Sequence, residues 1–244
     1  MTIYQTFFYK YGVVLYNNVD VDSIVAKVSR RFKVGFRDDL TEFLANAYTS
    51  IVRNAGALDS TEHRVLMLLQ LMRDYAWLSQ WWYKQFIYTA YIENCKLHRL
   101  KCSEREAREL LRLVIDLNLA TDAMPDSVWC VRVTAPGVML LNVYTMYRLG
   151  SLSDVESYAR KIVEFPKKLL NYVSEKVSKV GEVLLSSIAR SVIEDLTEYQ
   201  EVLHFDALPI VANDIMQLLL LYQSDKVDQV ALLGRQLVRW VEGT

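Results

Sequence analysis

Proline and glycine are scarce in this sequence, 4 and 8 of 244 residues. With 52% hydrophobic and 23% charged residues, that scarcity excludes a disordered or low-complexity chain and favours compact helical packing. Cysteine is sparse too: Cys95, Cys102 and Cys130 are odd in number and contain no CxxC. Such usage fits a reducing compartment better than a disulfide scaffold. Charge of one sign is not in excess, because 28 basic and 29 acidic residues leave a formal net charge of -1. Any nucleic-acid surface must therefore be local. Long hydrophobic runs are also missing. The longest uncharged stretch, Val133 to Tyr147, is broken by Pro136 and Gly137 and falls short of the roughly 18 apolar residues of a span. The first residues have no basic region ahead of an apolar core, so no signal peptide is expected. The expectation is an intracellular protein with no membrane span, cytoplasmic or nucleoid-associated.

Catalytic signatures are missing as well. There is no phosphate loop, dinucleotide fingerprint or G-x-S-x-G. The three histidines, His63, His98 and His204, each stand far in sequence from a nucleophile. Cys95, His98, Cys102 and Cys130 offer soft ligands for zinc, but no usual zinc spacing is present and Ser103 starts a new helix. No catalytic residue, metal or cofactor is expected.

What is present is helical patterning. Residues 1–18 are aromatic and β-branched, and read either as a segment packed on its own core or as an arm docking on a neighbour. Asp20 or Asp22 caps a helix to about Phe32, ending in a basic cluster that includes Arg30, Arg31 and Lys33. The cluster has two readings, favourable cations at a helix C-terminus or a phosphate-contacting patch. A second helix spans about 38–54, and Ser60 or Thr61 opens a third. An aromatic block from Tyr75 to Tyr91, with Trp77, Trp81 and Trp82, reads as a core helix covered on several sides, or as a subunit interface. Base stacking is disfavoured there, since Lys84 is its only cation.

The most informative stretch runs from Lys101 to Leu141. Ser103-Glu104-Arg105-Glu106 is a capping box. Ala107, Leu110, Leu111 and Val114 fall on one helical face, and Arg105, Arg108 and Arg112 on another, solvent-facing one. From Lys96 to Arg112 there are six Lys/Arg against three Glu. A polar loop from Thr121 to Ser127 leads into the strand VWCVRVT, and Pro136 then opens another helix.

This order resembles the winged helix-turn-helix family of DNA-binding domains over roughly residues 62–149. In that family a helix like SEREARELLRLVIDLNLA enters the major groove, and a wing's returning strand commonly closes on a VT-x-x-G like Val133 to Gly137. The resemblance implies DNA contact by Ser103, Arg105, Arg108 and Arg112, with Lys101 beside them and Arg132 as the only wing cation. The wing loop itself carries Asp122 and Asp126. Arginine suits the role because its planar fork binds phosphate or a guanine edge in bidentate fashion.

In the C-terminal third, Ser153 caps a helix to Phe165 and Pro166 marks a bend or restart. Apolar residues from Leu170 to Leu203 keep a three-and-four repeat, which unbroken gives a helix nearly 40 residues long, about 55 Å. An apolar helix from Ile210 to Tyr222 and a last one from Ser224 to Trp240 follow. Tyr158 to Val180 holds six bases and two acids, and Gly181 to Asp228 nine acids and two bases. The two can pair within one fold or between identical subunits.

The expected fold is mainly α: a helical bundle containing a winged helix-turn-helix with one short β-hairpin, plus long C-terminal helices. Its segments are 1–60, 61–150 and 151–244. The expected function is a non-enzymatic, DNA-binding transcriptional regulator that associates with itself as a homodimer or higher assembly. The alternative is a structural nucleoprotein, in a virion or a chromatin-like particle, that polymerises on DNA through phosphate contacts.

Overall fold

The computed structural model describes residues 21–35, 40–76, 81–123, 130–179 and 185–222. The aromatic segment 1–18, Trp77, Asp126 and the helix expected from Ser224 lie outside the described residues.

Local signals set the helix starts. Helix α1 spans Val21–Phe32 and α2 spans Leu40–Asn54. Helix α3, Thr61–Tyr75, starts where the Ser60 side chain accepts from the His63 amide at 3.1 Å. A two-residue strand β1, Trp82–Tyr83, precedes α4, Lys84–Leu97, and α5, Glu104–Asp116. Strands β2, Ala120–Ala123, and β3, Cys130–Val133, follow, and then α6, Ala135–Arg148. Helix α7 is Val155–Lys179, α8 is Leu185–Asp195 and α9 is Leu208–Tyr222. The fold is mainly helical, with one small three-stranded sheet among the described residues.

That sheet differs from the expected hairpin. Its order is β1-β3-β2, all antiparallel, with Trp82 opposite Val131 and Thr121 opposite Arg132. The third strand comes from within the aromatic block, which is therefore not one helix. Trp82 instead packs on Tyr75 and Phe86, with ring centroids 5.5 and 4.7 Å apart, and its indole N–H donates to the Tyr75 carbonyl at 3.2 Å. Aromatic packing has outweighed helical continuity here.

The connection from β3 to α6 is tightly specified. Thr134 caps α6 by accepting from the Gly137 amide at 3.3 Å, and its hydroxyl donates to the Asn118 carbonyl at 2.8 Å. A Cβ on Gly137 would stand 2.1 Å from the Leu119 carbonyl oxygen, so only glycine lets α6 approach that backbone.

Buried apolar residues form one cluster from Val25 to Ile215, to which all three expected segments contribute. Helix α7 packs along α2 and α6, and α9 packs against α8. The expected 40-residue helix does not form. Helix α8 stops at Asp195, and the chain turns so that Tyr199 is buried edge-on against Phe165, 5.1 Å between centroids. Burial of Tyr199, Val202 and Leu203 has overridden a periodic pattern that allowed a straight rod. Pro166 lies inside α7 rather than restarting it, between the buried Phe165 and Leu169. The complementary charges of this third meet within the chain, as in the Lys168–Glu198 pair.

Candidate nucleic-acid interface

Helix α5 is held at both ends by its inner side. At the N-terminus the Ser103 hydroxyl accepts from the Glu106 amide at 3.2 Å, the first half of the expected capping box. The Glu106 carboxylate does not complete it in the described bonds. It takes the guanidinium of Arg64 on α3 and the hydroxyl of Tyr91 on α4, the latter at 3.3 Å. At the C-terminus, Lys27 of α1 binds Asp116 at 2.7 Å, and the buried Tyr48 hydroxyl of α2 donates to the Leu117 carbonyl. Burial raises the Asp116 carboxyl above the usual range, and Lys27 partly offsets the rise. Asn118 then adopts a left-handed φ of 59°, and the Leu119 amide returns to the Val114 carbonyl at 2.9 Å, closing the helix.

The outer side is open. Ala107, Leu110, Leu111 and Val114 are buried, while Arg105, Arg108 and Arg112 are exposed, as the periodicity predicts. Two of the three arginines hold acids four residues away: Arg105 binds Glu109 at 3.0 Å and Arg108 binds Glu104 at 3.1 Å. Arg108 also lies over the Tyr88 ring, 5.2 Å from its centroid. Its guanidinium draws the Glu104 carboxyl below the usual range. Ser103 and Lys101 are exposed at the entry to the helix, and the Lys101 carbonyl accepts from Arg64 at 3.4 Å.

The basic end of α1 comes to the same face, which the sequence did not indicate. A groove of about 690 Å³ between α1 and α5 is lined by Ala26, Lys27, Arg30, Arg31, Glu109 and Leu113. Arg31 also borders a second groove with Lys33, whose φ is 54°. Arg30, Arg31 and Lys33 are all exposed.

Arg132 is a correction. Instead of standing on a wing it is 2% exposed, paired with Asp214 of α9 and placed over the Trp81 ring at 5.3 Å. Asp214 also accepts from the Ala135 amide at 2.7 Å, and its burial pushes its carboxyl above the usual range. Asp122 is drawn inward as well, to Lys84 at 2.6 Å. The cysteines need correcting too. Cys95 and Cys102 form a disulfide across the α4–α5 turn, and Cys130 is free and buried. Arg99, left-handed at φ 58°, ends α4 and turns the chain back so that the two sulfurs meet. Cys95 and Cys102 therefore have no free thiols for a metal.

No helix among the described residues is long and apolar enough to cross a membrane, and no cluster of three or more His, Cys, Asp or Glu side chains could hold a metal. No family model, curated protein or solved structure matches this chain.

Proposed function

We propose that this chain is a non-enzymatic DNA-binding protein in which α3 to β3 form a winged helix-turn-helix and α5 is the reading helix. In this reading it acts as a self-associating transcriptional regulator. The observation that carries it is α5 itself: anchored inward at both ends, it presents Arg105, Arg108 and Arg112 to solvent. The sequence α3-β1-α4-α5-β2-β3 and the sheet order β1-β3-β2 support the same reading.

A helix with its side chains is about 10–12 Å across and matches a major groove about 12 Å wide. Arg105 and Arg108 must exchange their glutamates for phosphate or guanine. That exchange costs little, because water screens exposed pairs four residues apart on a helix and they contribute little to stability. Phosphate contacts would set the register, and base-edge contacts would set any sequence preference.

A second reading is a structural nucleoprotein that grips only the backbone while it polymerises. It draws support from the burial of Arg132 and Asp122, which leaves the described part of the sheet without a charged residue to probe the minor groove. Selection from a random duplex pool, followed by binding of the selected and a scrambled duplex at about 50 and about 200 mM salt, separates the two. A regulator prefers the selected duplex by at least about a thousandfold and stops growing at a small oligomer. Equal affinities would remove the regulator. Replacing Arg105, Arg108 and Arg112 together by alanine should weaken binding at least tenfold with the fold intact, and unchanged binding would remove both readings.

A further inference from the structure

The groove between α1 and α5 is a feature of this face that the reading helix alone does not explain. One wall is α1, with Lys27, Arg30 and Arg31, and the other is α5, with Glu109 and Leu113. On an α-helix, Arg105 and Arg112 lie within about 60° of Glu109 around the axis, so they form the outer rim of that second wall. Glu109 does not oppose an anion strongly, because Arg105 already holds its carboxylate at 3.0 Å. Lys27 is committed to Asp116 and bridges the two walls. Arg30 and Arg31 form no ion pair with an acid among the described residues, and both are exposed.

We propose that this groove is a backbone clamp, seating one sugar–phosphate strand of duplex DNA between Arg30 and Arg31 on α1 and the arginine rim of α5. The proposal rests on α5 being the reading helix. A helix lying in a major groove is bordered by two phosphate strands. Helix α1 lies along one flank of α5, so the strand on that flank falls on Arg30 and Arg31. These contacts carry no sequence information; they fix depth and register, and add affinity that falls with salt. The clamp offers a way for a protein with a net charge of -1 to hold DNA, by concentrating its positive charge on the two walls of one groove. It also replaces the support that a basic wing would give on the other side of the reading helix.

The test compares two double variants of the full chain, Arg30→Ala/Arg31→Ala and Arg105→Ala/Arg112→Ala, by fluorescence anisotropy on a short labelled duplex over stepped salt. Thermal melting of each variant checks the fold. The α1 double variant should bind about tenfold more weakly. Its log–log salt slope should be shallower by about 1.8, roughly 0.9 for each lost phosphate contact. Its ranking of different duplex sequences should not change. Arg30→Lys/Arg31→Lys should keep most of the slope, since lysine retains the charge. An alanine variant that binds and responds to salt as the parent does overturns the clamp. So does a lysine variant that loses the slope. If Arg105→Ala/Arg112→Ala still weakens binding in those cases, the reading helix stands without the clamp. If that variant also binds as the parent does, the DNA reading itself fails and the clamp fails with it.

Discussion

On β3, Arg132 lies under Trp81 and binds Asp214 of a helix far along the chain, whereas on α5 three arginines stand in solvent, and the acids that Arg105 and Arg108 hold are their own helix neighbours. Both regions belong to the stretch proposed as a DNA-binding module, and both carry arginine with acids nearby. The sheet turns its charges inward, to Asp214 and Lys84, and so ties itself to the C-terminal helices and to α4. Helix α5 turns its own outward and ties itself down through Glu106, Asp116 and Leu117 instead. An arginine's role here depends on whether an acid meets it in the core. One region buries its charges and the other exposes them, and mutations should separate the two.

The largest effect is expected at Arg132. Arg132→Met leaves the Asp214 carboxylate buried without its counter-charge, and breaking such a pair costs about 3–5 kcal/mol. Burial already raises the Asp214 carboxyl, and removing Arg132 leaves only the Ala135 amide to oppose the rise. A carboxyl raised in the folded state adds stability when protonated, at low pH, and loses that contribution as pH rises through its folded value. The deficit should therefore be greatest near neutrality and shrink on acidification, as urea melts across pH will show. Arg132→Met/Asp214→Asn should recover much of it, because asparagine needs no counter-charge and can still accept from the Ala135 amide. DNA affinity per folded molecule should not move, and a specific loss of binding would return Arg132 to the interface.

Next is Gly137→Ala, where a Cβ would meet the Leu119 carbonyl at 2.1 Å and Val133 Cγ2 at 2.8 Å. The Leu119 backbone cannot yield without shifting the join of β3 to α6, so a loss of about 1–3 kcal/mol is expected. Denaturant midpoints measure it directly. A neutral result would mean that the sheet and α6 are less tightly joined than α5 is to its supports.

These contrasts also show what can be read from sequence. The starts of α3 and α5 were legible because Ser60 and Ser103 act within three residues of themselves, and that of α6 because Pro136 suits a first turn. The exposure of Arg105, Arg108 and Arg112 was legible because helical period alone decides it. Strand β1 was not, since two residues in an aromatic block carry no pattern of their own. Nor was the inward turn of Arg132, whose partner is 82 residues away. The Cys95–Cys102 bond depends on a left-handed Arg99 that no sequence rule selects. The meeting of Arg30 and Arg31 with α5 depends on how α1 packs, and local pattern holds no record of that.

The smallest effect concerns the Lys27–Asp116 pair between α1 and α5. Lys27 and Asp116 are 2.7 Å apart, but the lysine side chain is 44% exposed, so water screens the pair and Lys27→Ala should cost only about 1 kcal/mol. The pH dependence of that loss tells more than its size. Asp116 is already raised by burial, and Lys27 is the first influence opposing the rise. Without Lys27 the carboxyl should rise further, so its protonated form is favoured over a wider range. Stability of the variant should match the parent most closely in acid and fall behind as pH climbs through the folded value. Paired urea melts at about pH 4 and about pH 7 check this. A loss independent of pH would mean that Lys27 acts through packing of its methylene stem on α5, and that α1 is held against α5 by apolar contact rather than by charge.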